Sequence, residues 1–201
     1  MTGLVDTFEA SLDGLDVTSA RTTPGGLADA LADAVVEPVV GAPLPYEGLS
    51  LPDWIPTHPT PRELQAARTG VTGVGGGIAE RGTLIVQSRP GGDEPVSLYP
   101  ERHVAVVRAS DLVSGVPEAL EFLGEEFAAG RDSAVFATGM SATADLGESV
   151  RGVHGPREGH VVIVEDTVGG GDGTGNEDCP GDGTGNGIDD GDGGEPEVDG
   201  S

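Results

Sequence analysis

The sequence predicts an α/β domain built on an open, mostly parallel sheet with flanking helices, and three observations predict it. Four apolar runs of strand length, Thr83-Leu84-Ile85-Val86, Val104-Ala105-Val106-Val107, Ala134-Val135-Phe136-Ala137 and Val161-Val162-Ile163-Val164, are continuous and rich in β-branched residues. That is the pattern of strands buried on both faces. Helical stripes precede and separate these runs, as a layered α/β arrangement requires. The 201 residues suffice for one such domain with a sizeable core and are too few for two.

Taken in order, Leu4, Val5, Phe8, Leu12 and Leu15 form a helical stripe and predict an N-terminal amphipathic helix. A strand is expected at residues 17–22. Thr23 with Pro24 at the first helical position then opens a second helix, whose Leu27, Ala30, Leu31, Ala34 and Val35 recur at i, i+3, i+4, i+7 and i+8. Six prolines in residues 37–59 predict an irregular connection and argue against a central strand there. Thr60-Pro61-Arg62-Glu63 is a capping box opening a short helix to about Arg68. Between the second and third apolar runs, a helix is expected from about Pro117 to Ala129, with Leu120, Leu123 and Phe127 facing inward and Gly130 as its stop.

The composition changes sharply near the end. Residues 167–201 carry ten acids, no arginine and few apolar residues, and repeat Gly-Asp-Gly-Thr-Gly-Asn at 171–176 and 181–186. Such a segment buries too little apolar surface to offset the entropy of ordering its glycines, so a solvated, disordered tail is expected. A calcium loop is the rival reading, but the repeat lacks the acid at its third position and the closing Glu of an EF-hand. The expected organisation is therefore 1–59 as a helical and irregular part of the domain, 60–166 as the α/β core and 167–201 as the tail.

Charge and cysteine content exclude several classes. The net charge is −25, of which −15 remains on residues 1–166, and every cation is an arginine. A cationic footprint for nucleic acid or an anionic membrane surface is missing. The same acidic coat fits a protein kept soluble at high salt, and predicts a salt-loving source. Cys179 is the sole cysteine, so the chain cannot supply the four thiolates of an iron–sulfur cluster. No cationic start precedes an apolar run and no stretch approaches a membrane span, so a cytoplasmic location without membrane insertion is expected.

In an open α/β sheet, ligands bind beyond the carboxyl ends of the strands. Three segments are candidates. The first is the glycine-rich turn 73–83, where Gly73 and Gly77 allow backbone amides to approach an anion, Glu80 can act as nucleophile or base, and Thr83 offers a hydroxyl. Its glycine spacing, and the strand that follows it, differ from the dinucleotide fingerprint. The bland reading is a tight turn with a solvent-facing Glu80. The second, 138–145, is read as a helix start whose free amides join Ser141 and Thr143 in an anion seat beside Asp145; an ordinary N-cap is the alternative. The third is Gly152-Val153-His154-Gly155-Pro156, where a rigid turn holds His154 as an acid or base, or merely as a hydrogen-bonded turn residue. His103 and His160, each beside an apolar run, are read as strand-edge residues. The three histidines lack metal-ligand spacing, so no metal site is expected.

Together these segments resemble the LUD-domain family of the lactate-utilisation protein C type. The resemblance rests on Gly70-Val71-Thr72-Gly73, Gly77-Ile78-Ala79-Glu80, Gly82-Thr83, Leu98, Pro100, His103-Val104-Ala105-Val106-Val107, Ser141, Thr143-Ala144-Asp145, Val153-His154-Gly155-Pro156 and His160 to Val164. It covers residues 60–166 well. The chain departs from the family pattern at Gly75, where the family has an acid, and at Arg81, where it has a small residue. The resemblance implies a fold similar to the sugar-phosphate isomerase and CoA-transferase superfamily. It further implies an accessory role in oxidising L-lactate to pyruvate beside iron–sulfur partner subunits, which agrees with the missing cluster cysteines. A small anion or nucleotide is the expected ligand. The competing function is a stand-alone enzyme using Glu80 on an acyl-CoA, sugar-phosphate or folate-type substrate. No cofactor is named by these residues.

Overall fold

The computed structural model describes residues 3–131, 133–140, 142–145, 148–151 and 155–165, with 142–145 and 148–151 described by their backbone. All of them fall within the unit Met1–Val168. The tail reading at 167–201 therefore lies outside the described residues.

In chain order, the elements are α1 (Leu4–Asp13), β1 (Thr18–Thr22), α2 (Leu27–Ala34, preceded by one 3-10 turn at Pro24–Gly26), β2 (Val39–Gly41) and α3 (Pro61–Ala66). Next come β3 (Thr69–Gly73), β4 (Gly76–Ile78), a 3-10 turn at Ala79–Arg81, β5 (Thr83–Gln87), α4 (Asp93–Leu98), β6 (Arg102–Arg108) and β7 (Leu112–Val113). The chain continues through α5 (Val116–Ala128), β8 (Ala134–Thr138), β9 (Ala142–Asp145), β10 (Glu148–Arg151) and β11 (Glu158–Val164).

Five of these strands form a parallel sheet in the order β1-β11-β6-β3-β2. The expected fold class is thus present: a parallel sheet covered by helices. The runs at Val104 and Val161 are unbroken because β6 and β11 are central and covered on both faces. Val104, Val106, Val162 and Val164 pack with Leu27 and Leu31 of α2, while Ala105, Val107, Val161 and Ile163 pack with Phe8 and Leu12 of α1.

The other two runs lie elsewhere. β5 and β8 pair antiparallel in a second sheet, ordered β7-β4-β5-β8, which covers the α1 side of the parallel sheet. A continuous apolar run shows that two faces need cover; it does not show which sheet the strand joins. β8 is an edge strand of this second sheet among the described residues, and Val135 and Phe136 stay partly exposed.

Capping at α3 follows the sequence closely. Thr60 Oγ1 accepts the Glu63 amide at 3.3 Å, and Glu63 Oε2 accepts from the Thr60 amide at 2.8 Å and the Thr60 hydroxyl at 2.7 Å; the two bonds to the carboxyl hold it below its usual range. On α5 the inward face is Ala119 and Leu123, packed with Ile78 and Ile85, while Leu120 and Phe127 are exposed. Leu123 alone of the three expected inward residues is buried.

Residues 138–145 are also corrected. Ala142–Asp145 is a strand, paired antiparallel with Glu148–Arg151, and no helix starts there. Between Ser141 and Gly152 the large apolar residues are only Leu146 and Val150, too few to hold a helix against a core.

Candidate functional site

Two places combine buried polar groups with the chemistry a ligand needs. One lies at the carboxyl end of β3, where the sheet rule directs attention. Arg89, in the loop after β5, donates from Nη2 to the Gly73 carbonyl at 2.6 Å and to Asp93 Oδ1 at 2.9 Å. Asp93 is 1% exposed, and its burial pushes the carboxyl up despite the neighbouring guanidinium. Three buried atoms of this pair, Arg89 Nε, Arg89 Nη1 and Asp93 Oδ2, have no partner among the described residues. Beside it, Tyr46 donates to the carbonyls of Val74 (2.5 Å) and Val106 (2.9 Å), and the Arg108 guanidinium sits 5.2 Å above the Tyr46 ring centre. Burial raises the Tyr46 pKa, so the phenol stays protonated and keeps donating.

The other is a cavity of about 170 Å³ between the two sheets. Leu84 and Val86 of β5, Ala137 of β8, Met140, and His103 and Val161 of the parallel sheet help form its wall. His103 and Gly159, the second residues of β6 and β11, place it toward the amino ends of the parallel strands. Most of the wall is apolar, and among the described residues no arginine lines it.

His103 is therefore corrected from a strand-edge residue to a buried one in a central strand. It is 6% exposed, and its Nε2 lies 2.9 Å from Thr72 Oγ1 on the neighbouring β3. Burial alone drives its pKa down to about 4, so the ring is neutral at pH 7. His160 differs. It shares the face of Val162 and Val164 by strand alternation, its Nδ1 lies 2.8 Å from Thr18 Oγ1, and burial followed by the nearby Arg102 lowers its pKa.

The residues singled out in the sequence scatter. Gly73 closes β3, where a Cβ would sit 2.4 Å from Pro45 Cδ. A Cβ at Gly77 would meet Leu112 at 2.8 Å and Phe8 at 2.9 Å. Both glycines thus serve close packing. At Gly75 a Cβ would lie 2.8 Å from Gln87 Cδ, so Gln87 occupies the space an acid would need. Glu80 sits on the Ala79–Arg81 turn with 54% of its side chain exposed and Arg81 Nε at 3.5 Å, away from the cavity wall. The Thr83 hydroxyl is spent on the Thr138 hydroxyl across the β5–β8 pair, at 2.6 Å. Gly155 borders the cavity. Thr143 and Asp145 occupy β9 opposite Val150 and Glu148. Ser141 and His154 lie outside the described residues.

Comparison with known proteins decides the family. A LUD domain profile matches residues 51–164, more than half of the chain and inclusive of the motifs from Gly70 to Val164. The chain belongs to the LUD domain family. Among similar proteins, a Lactate utilization protein C from Deinococcus radiodurans is 37% identical over 73% of this chain and 70% of its own length. Proteins of the same name from Geobacillus sp. (strain WCH70) and Bacillus subtilis are 31% and 29% identical over 51% and 52% of this chain. This LUD domain spans only 44% and 45% of those two relatives. A crystal structure of a DUF162 family protein from Deinococcus radiodurans superposes with a TM-score of 0.59 at 27% identity, covering 80% of this chain and 96% of that one. Among the described residues of this LUD domain, no helix is long and apolar enough to cross a membrane.

Proposed function

We propose that this chain is a cytoplasmic accessory protein of L-lactate utilisation, serving the oxidation of lactate to pyruvate beside iron–sulfur partner subunits. The observation that carries the reading is the 37% identity, over most of the chain, to a protein named Lactate utilization protein C. The single cysteine supports the division of labour, because cluster chemistry then has to reside in partners. For a small anionic ligand, the support is Arg89: a buried guanidinium with two unpartnered nitrogens beside the Gly73 carbonyl, at the carboxyl end of a parallel strand. Such a ligand has to be held against a net charge of −25, so a local guanidinium fork is the means available.

A strain lacking this chain is expected to stop growing on L-lactate as sole carbon source and to grow normally on pyruvate. A tagged copy should restore growth and co-purify with cysteine-rich, iron-containing proteins. Unimpaired growth of the deletion strain on lactate overturns the proposal, as does recovery of the tagged chain free of any iron-containing partner.

A further inference from the structure

The inter-sheet cavity has chemistry of its own, separate from the Arg89 pair. Its volume of about 170 Å³ is close to that of engineered apolar cavities of about 150 Å³ that take up benzene, and unlike those it is partly open to solvent. Aliphatic side chains and Met140 make most of its wall, so a filled cavity gains dispersion contacts that an empty one forgoes.

One deeply buried polar side chain on this wall has spare capacity. His103 engages Thr72 through Nε2, which leaves Nδ1 outside that hydrogen bond. The Thr72 hydroxyl can donate to or accept from Nε2, so either tautomer is open. Nδ1 can therefore accept from a ligand hydroxyl or donate to its oxygen. A full charge is disfavoured: the imidazole is neutral, and among the described residues Glu94 is the one acid on the wall and no cation lines it.

We propose that this cavity binds a small uncharged ring of six to eight non-hydrogen atoms, roughly the size of the ligands such cavities hold, whose one polar atom hydrogen-bonds to His103 Nδ1. Phenol is the matching probe, benzene the apolar reference and benzoate the charged one. The site is independent of the pathway assignment, since growth on lactate tests that reading and ligand binding by the purified chain tests this one.

The experiment is thermal unfolding and titration calorimetry of the full chain at pH 7 in concentrated salt. Phenol is expected to raise the melting temperature progressively and to bind about fivefold more tightly than benzene, the gain of one hydrogen bond. Benzoate should produce no shift. Ala137→Leu, which fills the cavity from β8, should abolish binding of phenol and benzene while the variant still melts cooperatively. His103→Leu should bring phenol down to the affinity of benzene and leave benzene unchanged, which separates the hydrogen bond from the volume. Absence of any phenol shift in the folded parent, equal binding of benzoate, or undiminished binding by a folded Ala137→Leu each overturns the proposal. If Ala137→Leu does not fold, the phenol-to-benzene ratio in the parent and in His103→Leu decides it.

Discussion

Gly70→Ala is expected to lower the unfolding free energy by at least about 3 kcal/mol, whereas Gly124→Ala should raise it by about 0.5–1 kcal/mol. The same methyl group meets opposite surroundings. At Gly70 a Cβ would lie 2.0 Å from the Val96 carbonyl oxygen and 3.0 Å from Pro100 Cγ, because α4 packs directly on β3 there. Neither side can yield cheaply. Gly70 is fixed in register between Val40 of β2 and His103 of β6, and α4 is anchored by the buried Asp93–Arg89 pair. Gly124 sits within α5 with no atom inside 4 Å of its would-be Cβ, so an alanine only removes the helix penalty of glycine. Urea midpoints of the two variants against the parent measure both effects. A Gly70→Ala midpoint equal to the parent would mean that α4 lifts off β3 at no cost, against a geometry that leaves it no room. The loss is a large share of the few kcal/mol by which a domain of this size is stable.

Gly70 also shows why one central strand was hard to read. Thr69-Gly70-Val71-Thr72-Gly73 has two glycines in five residues, and glycine weakens strands and marks turns. The structure needs both: one lets α4 approach and the other lets Pro45 approach. A signal for backbone flexibility was in fact a signal for close packing. By contrast α1 and α2 follow directly from their periodicity, β6 and β11 from their unbroken apolar runs, because each of these is covered by packed neighbours, and α3 from its capping box. The proline-rich stretch did exclude a central strand, and β2 lies at the sheet edge. Assignment of β5 and β8 to a second sheet depends on pairing between residues some fifty positions apart, such as Thr83 with Thr138. Local composition holds no record of that.

The site was less readable than the fold, for a related reason. Chemistry-bearing residues were sought in turns, and the turns at Gly77 and Glu80 place their side chains in packing or in solvent. Among the described candidates Gly155 is the one bordering the cavity. His103 was set aside because it abuts an apolar run, yet that run is what buries it. A histidine next to four consecutive buried apolar positions, paired in register with a glycine of the next strand, is largely buried, and here its ring meets Thr72 of that strand. Arg89 gave no motif at all. It is one of ten arginines, and only the buried Asp93 four residues later distinguishes it.

Acidification is expected to destabilise the parent protein more than His103→Leu, by about 3 kcal/mol once the pH has fallen through about 4. The folded-state pKa of His103 is depressed from 6.5 to about 4 by burial. Above the unfolded value both states carry a neutral ring, and the group has no effect on the pH dependence. Between 6.5 and about 4 the unfolded chain takes up a proton that the folded one refuses, so stability falls with pH throughout that window. Below it both states are protonated and the loss levels off. His160 acts in the same direction through burial and Arg102 in both proteins, so only the difference between parent and variant isolates His103. Leucine suits the comparison because it fills comparable volume without a titrating group. Urea unfolding of both proteins at matched salt, stepped from pH 7 to about 4, measures the difference. Parallel stability curves would place the His103 ring in contact with water and remove the ground for its burial, whereas divergence confined to that window ties the buried neutral imidazole to the space it borders.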